Sequence, residues 1–88
     1  MTLRKFFKTI DRLTQIDRFI QDPKFKATQP NIATQLGVSD RTVREDFGIL
    51  RGLGAPIVLI GRPADGNGFT YSEEWSLQNA IIQQIRSR

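Results

Sequence analysis

At 88 residues the chain is the size of one domain, residues 1–88, with a modest core. Its 39% hydrophobic and 25% charged residues are those of a globular protein, and a formal charge of +4 with a pI near 10.1 suits an acidic partner such as nucleic acid without requiring one. Absence of Cys and His excludes disulfides, thiol nucleophiles and the usual transition-metal ligands, and no clustered carboxylates offer an acid–base set, so neither an enzyme nor a cofactor is expected.

The first predicted element is an amphipathic helix within residues 2–21. Leu3, Phe6, Phe7, Ile10, Leu13, Ile16, Phe19 and Ile20 recur every three or four residues, and Asp22-Pro23 ends the pattern. This region also holds the charge excess: residues 1–27 carry seven Lys/Arg against three Asp, whereas 28–54 and 55–88 are each neutral. Arg4, Lys5 and Lys8 read equally well as phosphate attraction or as a solvated face. Phe25 is expected to plug the core from the connection that follows.

A short second helix follows, with Thr28 as its cap, Pro30 in the first turn and Ile32, Ala33 and Leu36 facing inward. Gly37 supplies the left-handed stop, Val38 fills the corner and Ser39 caps a third helix. On a wheel of about 100° per residue, Val43, Phe47 and Leu50 fall within about 60°, while Arg41, Arg44, Gly48 and Arg51 fall within about 80° on the other side. A tight corner followed by an amphipathic helix with outward arginines is the pattern of a helix-turn-helix that places its second helix in the DNA major groove.

Beyond Gly52 and Gly54, Pro56–Ile60 (PIVLI) reads as a strand, residues 61–68 are dense in turn formers, and Phe69-Thr70-Tyr71 reads as the returning strand. A last helix is expected from Ser72 or Glu73 to Ile85, within residues 73–86. The predicted class is mainly α (α+β): a winged helix-turn-helix of three helices, a two-stranded β-hairpin wing and a C-terminal helix, with its core at residues 10–71.

The run Ile32-Ala33-Thr34-Gln35-Leu36-Gly37-Val38-Ser39, then Arg41-Thr42-Val43, Asp46 and Leu50, then Gly54-Ala55-Pro56-Ile57 and Gly66-Asn67-Gly68-Phe69, resembles the N-terminal DNA-binding domain of bacterial DeoR-type and WYL-type transcription regulators. The resemblance spans roughly residues 10–71 and implies double-stranded DNA as partner and transcription regulation as role. Such regulators often carry a basic residue where this chain has Glu45. They also continue into a ligand-sensing or oligomerising domain, whereas this chain ends soon after the wing, so no small-molecule effector is expected.

Arg41 and Arg44 are the leading candidates for base contact, because arginine pairs with guanine O6 and N7 in the major groove. The bland alternative is a solvated face with intrahelical pairs to Glu45 or Asp40. Glu45 faces the same way and either accepts from a cytosine amino group or tunes its arginine neighbours. Ser39 is first a cap, and with Thr42 it can also bond a phosphate at the helix N-terminus. Asp40 is expected to cap or orient. Thr28 and Gln29 are candidates for phosphate contact, with plain capping as the alternative. Arg51 is either a contact or a surface residue, and Arg62 is expected to enter the minor groove or touch phosphate from the wing. Asp46 is expected to form an internal ion pair with Arg12 or Arg18.

Two readings stand for the terminal helices. Leu3, Phe6 and Phe7, with Trp75, Leu77, Ile81, Ile82 and Ile85, cover either the domain's own core or a homodimer interface. The dimer is favoured, because one wing domain offers few base contacts, and it implies an inverted-repeat site. The expected role is a prokaryotic regulator, most simply a repressor acting by occupancy. A DNA-binding accessory of a phage, plasmid or transposon and a protein-interaction module are the alternatives. No stretch approaches the roughly 20 apolar residues of a membrane span, and the N-terminus lacks the ~7–15-residue apolar core of a secretory signal, so a cytoplasmic, nucleoid-associated protein is expected.

Overall fold

In the computed structural model, residues 2–60 and 68–87 are described. The elements run α1 (Leu3–Gln21), α2 (Gln29–Leu36), α3 (Asp40–Gly52), β1 (Ile57–Leu59), β2 (Phe69–Tyr71) and α4 (Leu77–Arg86). Three helices, an antiparallel hairpin and a closing helix make a winged helix-turn-helix. Among the described residues, no helix is long and apolar enough to cross a membrane.

Each boundary has a local cause. The Lys5 amide donates to the Thr2 hydroxyl at the start of α1, and the chain leaves that helix at Asp22, whose carboxylate accepts the Lys24 amide at 2.9 Å. Thr28 accepts the Asn31 amide to begin α2, and Gly37 ends it at φ 66°. In that left-handed conformation a β-carbon would be strained, so glycine suits the stop. Ser39 then accepts the Thr42 amide at 3.1 Å and starts α3 only three residues after α2 closes.

The core joins Leu13, Ile16 and Ile20 of α1, Ile32 and Ala33 of α2, Val43, Phe47 and Leu50 of α3, Ile57 of β1 and Leu77 of α4. Helix α1 packs on α2, β2 and α4, and α2 packs on α3. Phe25 behaves as expected, stacking on Phe19 with ring centroids 4.5 Å apart, and Val38 packs against the core from the corner. Phe47 meets Phe69 edge-on at 4.9 Å, which joins α3 directly to the wing.

In the hairpin, Ile57 pairs with Tyr71, Val58 with Thr70 and Leu59 with Phe69. The flanking bonds from Ile60 N–H to Gly68 and from Ser72 N–H to Pro56 extend the pairing by one residue at each end. A further backbone contact lies on the other side of β2, where the Phe69 amide donates to the Ala27 carbonyl at 2.9 Å. The connection between α1 and α2 thereby acts as a short additional edge to the sheet, which the strand patterns did not reveal.

Helix α4 begins later than expected. The expected start at Ser72 or Glu73 is replaced by a start at Leu77, with Ser76 accepting the Asn79 amide. The reason is tertiary. Trp75 lies edge-on against Tyr71 at 5.2 Å, ahead of the helix, and the buried Asp17 carboxylate accepts both the Tyr71 hydroxyl at 2.6 Å and the Leu77 amide at 3.4 Å. Asp17 therefore supplies a second cap from across the domain. Burial, then the hydrogen bond and charge of Asp17, push the Tyr71 phenol above its ordinary pKa, so it stays a donor.

Candidate nucleic-acid interface

Helix α3 has two unlike faces. Val43, Asp46, Phe47 and Leu50 are buried, whereas Arg41, Arg44, Glu45, Gly48 and Arg51 are exposed. This is the division the helical wheel predicts. The core therefore holds the helix by one side and leaves the arginine side free.

Two interactions set the helix's orientation. Phe47 is fully enclosed, and Asp46, 1% exposed, receives Arg12 of α1 in a two-pronged pair. One prong is the Arg12 Nη2 donation to Oδ1 at 3.0 Å, and the other runs from Nε to Oδ2. The hydrogen bond with Asp46 raises the Arg12 pKa against the opposing effect of burial. The fork fixes rotation as well as distance, since two parallel bonds match the planar guanidinium to the carboxylate. Of the two partners weighed for Asp46, Arg12 forms the pair.

On the free face, Arg41 donates from Nε to Glu45 Oε1 at 3.1 Å, and the two side chains are 84% and 64% exposed. Arg44 projects beside them. A β-carbon on Gly48 would meet nothing within 4 Å, so the surface between Arg44 and Arg51 is open. The Arg51 guanidinium lies 5.9 Å from the centroid of the Phe47 ring, and the residue remains exposed.

At the helix start, the Ser39 and Thr42 hydroxyls stand 3.1 Å apart, and Asp40 occupies the first turn. Thr28 and Gln29 are half-buried where α2 opens, with the Thr28 hydroxyl already engaged as a cap. Arg62 lies outside the described residues. Arg4, Lys5 and Lys8 are all exposed on the first turns of α1.

The terminal apolar residues divide into two groups. Leu77 is 3% exposed and belongs to the domain's own core, which corrects its place among interface candidates: it lies on the face of α4 turned toward α1. Trp75 and Ile81 also pack partly against that core. Leu3, Phe6, Phe7, Ile82 and Ile85 remain exposed, and the Phe6 and Phe7 rings meet each other edge-on.

Sequence reasoning missed Asp17 and the Ala27–Gly68 approach. Asp17 left a trace, because it falls four residues after Leu13 and three before Ile20, a carboxylate set within an apolar stripe. Gly68 carried no such mark, since glycine in a turn-rich segment has many uses.

A family described as an HTH domain matches residues 12–68, well over half of the chain. The matched stretch runs from Arg12 through the corner and α3 to Gly68, and so contains both partners of the buried ion pair. No curated protein and no solved structure gives a significant match.

Proposed function

Since this chain belongs to the HTH domain family, a family of DNA-binding domains rather than enzymes, we propose that it is a sequence-specific regulator of the DeoR and WYL kind that binds an inverted-repeat operator as a homodimer. One observation carries the DNA-reading part: the arginine face of α3 is free while the opposite face is locked to α1 by Arg12 and Asp46. A helix held so firmly presents its side chains in one orientation, which groove readout requires.

In this reading Arg41 and Arg44 meet guanine edges, and Ser39 and Thr42 meet phosphate at the helix start. Arg51, Thr28, Gln29 and Arg62 add backbone contacts, and Asp40 orients the first turn. Selection of duplexes from a random library tests this directly. The expected result is enrichment of an inverted repeat with half-sites about 10 base pairs apart, or a multiple of that. Recovery of fragments no different from the input contradicts it.

The dimer rests on Leu3, Phe6, Phe7, Ile82 and Ile85, large apolar side chains left exposed at the ends of the terminal helices. Pairing would remove them from water at roughly 25 cal/mol per Å². Sedimentation at micromolar concentration should give a dimer for the parent and a monomer for Phe7→Glu. A monomeric parent ends the proposal. Bound in this way at the nucleoid, the protein represses by occupying sites that polymerase needs.

A protein-interaction role is the competing reading, favoured by the exposed Val58, Leu59 and Ile60 around β1. It predicts no duplex enrichment at all.

A further inference from the structure

Arg41 and Glu45 form the one ion pair on the exposed face of α3 among the described residues, and folding stability gives little reason for it. An i, i+4 pair supports a helix best with the acid on the N-terminal side, and here the order is reversed. Arg41 is also the second residue of α3, in the first turn, where the positive end of the helix disfavours a cation. Both side chains are largely in water, where such pairs contribute least. A surface built only to hold phosphates would have no use for a carboxylate beside Arg41, since Glu45 repels the DNA backbone.

We propose that Glu45 is a specificity-determining residue that trades affinity for selectivity, an inference that rests on the DNA-reading role of α3. Away from the correct site, Glu45 neutralises Arg41 and keeps it from gripping phosphate indiscriminately. At the correct site, a cytosine amino group donates to Glu45, whereas the adenine amino group stands beside the N7 acceptor, which repels a carboxylate. Arg41, already positioned by the pair, then turns its remaining donors to guanine O6 and N7. Glu45 thus makes a wrong base costly as well as a right base favourable, which is how discrimination exceeds simple attraction.

The test compares parent, Glu45→Ala, Glu45→Gln, Arg41→Ala and Arg44→Ala on the duplex recovered by selection and on a scrambled duplex of the same composition, across a salt series. Glu45→Ala should bind the scrambled duplex more tightly, with a salt slope steeper by up to about one phosphate contact. Its ratio of specific to non-specific affinity should fall at least about fivefold. Glu45→Gln should move the preference at one position from cytosine toward adenine, the base that glutamine pairs with. If Arg41→Ala or Arg44→Ala weakens specific binding while both Glu45 variants keep the parental ratio and base preference, the inference falls and the DNA-reading role stands. If Arg41→Ala, Arg44→Ala and both Glu45 variants all bind as the parent does, or the parent binds no duplex, the DNA-reading role falls and takes the inference with it.

Discussion

Replacing Arg12 with Met should destabilise the protein by about 3 kcal/mol, because it strands Asp46 without its partner in the interior. The carboxylate is 1% exposed and its hydrogen bonds from a side chain both come from Arg12, so water cannot readily take over. A domain of this size has only about 5–15 kcal/mol of total stability, and the loss should lower the melting temperature by roughly 10–20 °C. Methionine retains much of the apolar stem of Arg12, so the measurement reports the broken fork more than lost packing. The double variant Arg12→Met/Asp46→Leu should recover most of the loss, because removing both charges also removes the desolvation cost. Thermal unfolding of the three proteins decides the matter. A single variant as stable as the parent would mean that the fork does not anchor α3.

Gly68→Ala should cost about 3 kcal/mol, at the upper end of what overpacking produces. A β-carbon there would lie 2.6 Å from the Ala27 nitrogen and 2.7 Å from its carbonyl carbon. These are backbone atoms, which cannot rotate aside as a side-chain tip does. Relief requires β2 to move away from the α1–α2 connection, with loss of the Phe69-to-Ala27 bond. Phe69 would shift with the strand and loosen its edge-on contact with Phe47, so the damage should reach α3. Gly48→Ala is the control. It sits on the open face of α3 with nothing within 4 Å, and alanine there should stabilise the helix by about 0.5–1 kcal/mol. Denaturant titration of both variants should show opposite signs; equal effects would mean that the close approach at Ala27 is not limiting.

What was legible in the sequence had local causes. Thr28, Gly37 and Ser39 carry their capping chemistry within three or four residues, so the corner and both helix starts could be read directly. The two faces of α3 followed from periodicity alone, and an internal ion pair for Asp46 from its place beside the apolar stripe, with Arg12 and Arg18 both open as partner. The start of α4 was not legible, because the Asp17 carboxylate that caps Leu77 stands sixty positions earlier in the chain. Residues 72–76 carry no proline or glycine to stop a helix, and nothing local to them showed that the Trp75 ring lies against Tyr71. The same limit hid the Ala27 edge contact, which pairs two segments with no shared pattern. It also misplaced Leu77, whose burial depends on where α4 settles against α1.

Corner, fork and wing converge on the free face of α3. Its role in reading DNA is tested most directly by fluorescence anisotropy on the selected duplex with Arg41→Ala and Arg44→Ala, both exposed residues whose loss should leave thermal unfolding unchanged. Each variant should lose about 1–3 kcal/mol of specific binding and relax the preference at one base position. If both bind the selected duplex as tightly and as selectively as the parent, α3 is not the recognition helix.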